Sequence, residues 1–400
     1  MKTTSKIVRF ITISGLLISG VSIPISTAGQ NIGAALLIIS FLLISKNWPQ
    51  IRKISLQPFA IAGLFMGFIL AIGTTWSSAS PVVAWGFFLK MRAYYLIPVF
   101  LTIINVGKMR NYVLLGFVIV TSISIILSCA AAWLNYPLFM AMPGDWYIFR
   151  THTYHNFFAA LLGIMLLSVI ILKKIALKHK IILFLIFLLI SYDILFLVAG
   201  RTGQIVYLLM VGLTLILWNW RLGLVTGIII AASLTIILPK YSTAFNTGLN
   251  NAASNLSEYS NGNSNTSIGL RLEWQKNSIN LIKERPLLGH GTGSFKGEYA
   301  RILGSGDQLL SSQNPHNDYL WLGVELGIFG TLSLIALLLA AAWQGRQLQP
   351  AWKWTLYSLL LGMGVSTLAN SFFTDNITGL AFVLLTCALL SGPVVKGKIA

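Results

Sequence analysis

About twelve apolar runs, each roughly 17 to 25 residues long, succeed one another along this chain, most with only short polar segments between them. They begin near Ile7, Asn31, Phe59, Tyr94, Tyr112, Asn156, Ile181, Thr202, Leu222, Asp318, Trp354 and Ile377. A run of that length crosses the hydrocarbon core of a bilayer as a helix, which satisfies its backbone N–H and C=O groups within one segment. Only 10% of the residues are charged and 56% are hydrophobic, where a soluble domain carries roughly 25% charge. The expected fold is an all-α polytopic membrane protein with about 12 transmembrane helices, forming a single integral membrane domain over residues 1–400.

The basic residues set the orientation. Lys2, Lys6 and Arg9; Lys46, Arg52 and Lys53; Lys108 and Arg110; Lys173, Lys174, Lys178 and Lys180; Arg221; Arg346 and Lys353; and Lys396 and Lys398 occupy alternate connections, with no Asp or Glu among them. The positive-inside rule places these connections and both termini in the cytoplasm. A long hydrophilic segment, 240–317, then lies outside, between the ninth and tenth spans. Its first part, "NTGLNNAASNLSEYSNGNSNTS", reads as a mobile linker; the stretch "SIGLRLEWQKNSINLIKERPLLGHGTGSF" reads as a surface helix ended by Pro286 and followed by a turn. The first run also fits a cleaved signal peptide, with its basic start and the small residues of "STAGQ", and later spans keep their orientation either way. The net charge of +18 does not indicate nucleic acid, because the basic residues sit between apolar runs rather than interleaved with aromatics on a soluble surface. Cys129 and Cys387 fall inside apolar runs and read as small buried hydrophobes.

The same topology leaves Lys90, Arg92, Arg150, Arg201, Lys240, Arg271, Lys276, Lys283, Arg285, Lys296 and Arg301 outside. The positive-inside rule does not call for them there. Arg201 sits in "VAGRTGQ", a turn between two apolar runs, and must lie at the membrane surface. Either it snorkels toward lipid headgroups, or its planar fork grips a phosphate, which arginine matches bidentately without losing its charge. Arg271 and Trp274 are three apart in the surface helix and share a neighbouring face, which suits the lipid interface and equally an ordinary solvated face.

In "QNPHNDYL", Asn314 fits an N-cap and Pro315 the first helical position, which puts His316 and Asn317 in the first turn of the tenth span. The helix dipole and partial burial both disfavour imidazolium, so His316 is expected to be neutral near pH 7 and able to accept a proton as a general base; a structural histidine is the plainer reading. Asp318 either orients the His316 ring or caps the helix. In "FRTHTYHNFF", His152 and His155 have spacing compatible with metal ligation on a helix but no third ligand at a recognised spacing, so no metal is assigned; Arg150 and His155 read as substrate hydrogen-bonders or braces.

These segments carry a family resemblance. "AGRTGQ" opening the eighth span, the Arg271 segment, and "NPHNDYLWLGVELGIFG" with its His-Asn-x-Tyr-Leu element resemble the O-antigen ligases, within the O-antigen ligase and polymerase superfamily of bacterial inner-membrane glycosyltransferases. The terminal "NSFFTDNITGLAF" resembles ligases more than polymerases. The resemblance implies a GT-C-like membrane fold, a periplasmic site, and transfer of a glycan from undecaprenyl diphosphate to lipid A-core oligosaccharide without metal or other cofactor and with inversion. It also implies that Arg201 and Arg271 hold the diphosphate and that His316 is the catalytic base, with Arg150, His155, Asn317 and Asp318 in supporting positions. The partners implied are the lipid-linked donor, the lipid A-core acceptor and membrane lipids. The residue chemistry agrees in one respect, because the outer acids, Asp145, Glu258, Glu273, Glu284, Glu298, Asp307, Asp318 and Asp375, form no Asp-x-Asp pair to hold a divalent ion against the leaving diphosphate. A polymerase of the same superfamily is the alternative, followed by a protein O-oligosaccharyltransferase or a lipid-glycan transporter.

Overall fold

The computed structural model describes residues 6–232, 235–236, 238–303 and 314–395. Of the residues singled out above, Lys2, Asp307, Lys396 and Lys398 lie outside that set. The described chain is helical throughout, with two isolated bridges and no strand. The first helices are α1 (Lys6–Ser22), α2 (Thr27–Leu43), α3 (Asn47–Ile54), α4 (Pro58–Gly73), α5 (Pro81–Lys90), α6 (Arg92–Tyr95), α7 (Ile97–Ile104) and α8 (Arg110–Leu134). Next come α9 (His152–Leu172) and α10 (Leu177–Tyr192), which runs into a π-helical turn (Asp193–Leu197), then α11 (Arg201–Trp218) and α12 (Trp220–Ala232). Four helices occupy the hydrophilic segment: α13 (Leu238–Tyr241), α14 (Thr243–Ser260), α15 (Ser267–Glu284) and α16 (Phe295–Leu303). The chain closes with α17 (Asp318–Gly345), α18 (Pro350–Ser366) and α19 (Asn376–Leu390).

All twelve expected span starts fall inside helices. Among the described residues, five helices are long and apolar enough to cross a membrane: α8, α9, α10 with its π turn, α11 and α17. The count is six if α2 and α3, bent by 113°, form one span. The expected fourth span is broken near Pro98 into α6 and α7, and α5 is a short apolar helix that the sequence reading did not separate. A proline inside an apolar run removes a backbone donor and starts a new helix at its first turn.

Two expectations need correction. The stretch read as a mobile linker is mostly α14, capped by Ser242, whose side chain accepts from the Phe245 amide. Its asparagines and serines weaken a helix alone, but Tyr259 on α14 donates to Glu273 on α15 at 2.7 Å, and that pairing of two helices outweighs propensity. The other correction concerns the start of α17, where Asn317 rather than Asn314 is the N-cap, its side chain accepting from Tyr319 and Leu320 at 3.1 and 3.2 Å. Asn314 instead accepts from the His316 amide two residues on, at 2.9 Å, an Asx turn that holds His316 outside the helix.

α17 packs along α4 and α15, while α9, α11 and α18 pack together beside it. At Gly327, α17 leaves helical geometry, with φ 61°. A Cβ there would stand 2.3 Å from the Leu287 carbonyl oxygen, so only glycine fits. The break frees carbonyls that the turn after α15 takes up: His290 N–H donates to Val324 O at 2.9 Å and Gly291 N–H to Glu325 O at 2.7 Å. In return Ile328 N–H donates to Pro286 O at 2.9 Å. The same turn bonds to the end of α4, through Thr292 N–H to Gly73 O at 3.0 Å and Thr292 Oγ1 to Leu70 O at 2.7 Å. The "GHGTG" stretch is therefore a turn, as expected, and it stitches α4, α15 and α17 together. Backbone polar groups freed inside an apolar bundle need such partners.

Candidate active site

Three segments far apart in sequence meet at one end of the bundle: the start of α11, the first half of α15, and the loop before α17. Arg201 is the first residue of α11. The turn that presents it is held from below, because Asn156 on α9 donates to the Val198 and Gly200 carbonyls at 3.4 and 3.3 Å, while Gln204 reaches Ile194 O and Val198 O at 3.2 Å each. Asp145 adds a bond from Ala199 N–H at 3.0 Å. Arg201 itself donates to Gly248 O of α14 at 3.0 Å, so the segment expected to be a linker forms a wall of the site.

Arg271 lies in the second turn of α15, and burial followed by the charge of Arg201 pushes its guanidinium pKa down. Two guanidinium groups are thus close enough to repel each other in a partly buried place, an arrangement that an anion would relieve. Trp274, one turn on, stacks on the His316 ring with centroids 5.1 Å apart and planes 26° apart. Its indole therefore faces the imidazole. Burial, then the Arg271 charge, lowers the His316 pKa from 6.5 to about 4. His316 is neutral at pH 7, as expected, but through burial and Arg271 rather than as a residue of the helix's first turn. Its backbone is left-handed, φ 50°, a strained state for a non-glycine residue that the Asx turn and the indole stack hold in place.

Asp318 neither orients the His316 ring nor caps α17. Fully buried, it accepts from the Phe373 amide and Thr374 Oγ1 at 2.6 Å each, and from Thr367 Oγ1. It anchors the segment between α18 and α19, which also reaches Asn314 through Ser371 Oγ at 3.1 Å and Thr202 through Asn370 Nδ2 at 3.4 Å. That segment, "NSFFTDN", is the joint between α11 and α17, a role set by tertiary contacts that no local pattern records. Arg150, also left-handed at φ 66°, bonds Thr27 at the start of α2. His155 is buried, 2.8 Å from Asp193 of the π turn and 3.2 Å from Ser124. His152 turns instead to Asp145 at 3.0 Å, so the two rings face different carboxylates and His155 acts as a brace.

The arrangement brings two guanidinium groups and a neutral imidazole together, which suits binding an anion next to a group able to take a proton. A family model described as O-antigen ligase matches residues 185–335, which span the π turn, Arg201, α14, α15, Arg271, the glycine turn, His316 and most of α17. Over those residues, well under half of the chain, the sequence is similar to the O-antigen ligase family. An uncharacterized protein of Haemophilus influenzae (strain ATCC 51907 / DSM 11121 / KW20 / Rd) is 29% identical to the chain over 148 residues, 35% of this chain and 37% of that protein. The chain thus aligns with well under two thirds of that relative's length. The match includes the helices that carry Arg201 and Arg271 and the loop that carries His316, and leaves out α1 to α9, α18, α19 and the joint "NSFFTDN".

Proposed function

We propose that the protein is an O-antigen ligase of the bacterial inner membrane, transferring a glycan from undecaprenyl diphosphate to lipid A-core oligosaccharide on the periplasmic face. The observation that carries this reading is the gathering of Arg201, Arg271 and a neutral His316 from three separate segments. The match of the O-antigen ligase family model over those residues supports it further. In this reading about twelve spans set the orientation, segment 240–317 is periplasmic, and both termini are cytoplasmic, as the alternation of basic connections supports.

The donor diphosphate sits against Arg201 and Arg271, whose forks match its oxygens, and the uncapped N–H groups at the start of α11 add to the positive field. Its two or more negative charges cancel the field that depresses the His316 pKa, so donor binding raises the basicity of the ring when it is needed. His316 takes the proton of the acceptor hydroxyl, and that oxygen forms a bond to the anomeric carbon from the face opposite the diphosphate. The anomeric C–O bond breaks, its electron pair leaves with the diphosphate, and the arginines hold the charge that develops. The configuration inverts because attack and departure lie on opposite faces.

The test is to delete the gene and analyse lipopolysaccharide together with lipid-linked glycan. A ligase deletion leaves long lipid-linked chains unattached to lipid A-core. Single repeats attached to lipid A-core would instead identify a polymerase of the same superfamily and overturn the ligase reading.

A further inference from the structure

At the far end of α15 from Arg271, thirteen residues away and so roughly 20 Å along the axis, three side chains converge that the transfer chemistry does not use. Glu284 closes α15, His290 lies in the glycine turn and Glu298 lies on α16, each offering a ligand atom within 4.8 Å of the others. His290 is 2% exposed. Its Nε2 lies 3.0 Å from the Leu281 carbonyl oxygen, which only accepts, so Nε2 must carry the ring proton. In the neutral ring Nδ1 is then a bare lone pair, and it faces the Glu298 carboxylate at 3.4 Å. Two lone pairs facing each other in a buried place repel unless a proton or a metal ion lies between them. A histidine that donates one nitrogen to a backbone carbonyl and offers the other to a carboxylate cluster has the outer support that metal-ligating histidines show.

A positive group already serves this cluster. Arg301 donates to Glu298 at 2.7 Å through Nε and to Glu284 through its terminal nitrogen. Its side chain is 51% exposed and Glu284 is 43% exposed, so Arg301 can swing into water and open a path for an ion.

We propose that Glu284, His290 and Glu298 form a zinc site in which the ion exchanges with the Arg301 guanidinium and clasps α15 to α16. One imidazole nitrogen and two carboxylates, with water in the fourth position, suit a first-row divalent ion; the nitrogen argues against calcium or magnesium. The clasp is structural. It lies away from the reacting groups, adds no step to the transfer reaction, and does not depend on the ligase reading. Through the glycine turn it also bears on the break in α17, because Gly293 N–H donates to the Glu325 carboxylate at 2.9 Å in that turn.

The experiment uses tag-free protein in detergent, stripped with chelator and titrated with zinc chloride, read by calorimetry and by thermal unfolding. One zinc per chain is expected, with a higher unfolding temperature. His290→Ala and Glu298→Gln should each weaken zinc by more than about 100-fold, beyond the loss caused by removing an outer partner alone. Should either fail to fold, the surface variants decide. Glu284→Gln should weaken zinc, and Arg301→Gln should tighten it by about tenfold, because the competing cation is gone. Absence of saturable zinc binding in both the wild type and Arg301→Gln would overturn the proposal. So would an Arg301→Gln protein that unfolds at lower temperature and gains nothing from zinc, since the cluster would then be an ion-pair clasp only.

Discussion

His316 combines a strained backbone, an indole stacked on its face and a neighbouring guanidinium that lowers its pKa to about 4. In the proposed reaction, a base this weak suits its task only once an anion has neutralised its surroundings, and this gives a pH signature. The ring must be neutral to work, so activity falls as pH drops through its pKa. For the free enzyme that limb should lie far below 6.5, whereas with donor bound it should move upward as the diphosphate cancels the Arg271 field. The acid limb of kcat should therefore lie at higher pH than that of kcat/KM for the donor, and coincident limbs would refute the coupling. His316→Ala and His316→Gln should both lower turnover by roughly 10² to 10⁴-fold while leaving donor affinity nearly intact. An active Gln variant would make the ring a brace. Arg201→Lys and Arg271→Lys should each cost about 10²-fold or more in transfer by folded protein, because lysine keeps the charge but loses the fork. Arg201 and His316 were legible in the sequence as isolated polar groups at the ends of apolar runs, and Arg271 as a cation on a surface helix. Their mutual effect on pKa was not, because it depends on packing between segments 45 residues or more apart in the chain, which no local pattern records.

Among the elements, the segment between α18 and α19 shows how the helices hold these residues in register. Asp318 accepts from Phe373, Thr374 and Thr367, so the loop is tied to the start of α17 and, through Asn370 and Ser371, to α11 and Asn314. Asp318→Asn keeps the shape but turns an amide donor toward donors, and should destabilise the folded protein by about 1–3 kcal/mol with a larger loss of transfer than of donor binding. Thermal unfolding in detergent and transfer rate at matched folded concentration would measure both; unchanged stability would mean that the three bonds contribute little. The surface helix α15 was readable from its periodicity up to Pro286, and the span starts from hydropathy. α14 was missed because its asparagine-rich composition argues for disorder, while its partners, Arg201 and Glu273, lie on other elements. The cap of α17 was misplaced by three residues because Asn314 and Asn317 are both good caps and only tertiary contacts choose between them.

Across the whole molecule, alternating basic connections predict which parts of the chain face which side. With the native Cys129 and Cys387 replaced, a cysteine at Ser257 in α14 should react with a membrane-impermeant maleimide in intact cells, whereas one at Lys178 should react only after permeabilisation. The reverse pattern would invert the topology and move the arginine cluster to the cytoplasm. Gly327→Ala should destabilise the protein by about 2–5 kcal/mol, since the added methyl needs a left-handed backbone and meets the Leu287 carbonyl. An unchanged unfolding temperature would show that the break is adaptable. That break also constrains the order of assembly. The Val324 and Glu325 carbonyls in α17 accept from the His290 and Gly291 amides, which come earlier in the chain, in the hydrophilic segment. On the proposed topology, the tenth span holds bare polar groups in hydrocarbon until that segment has been carried across the bilayer. On that topology, translocation of the segment and closure of the span would be one event during biogenesis, so a chain whose segment stays behind would be left with an unfinished helix, a defect that quality-control proteases can recognise before any substrate is met.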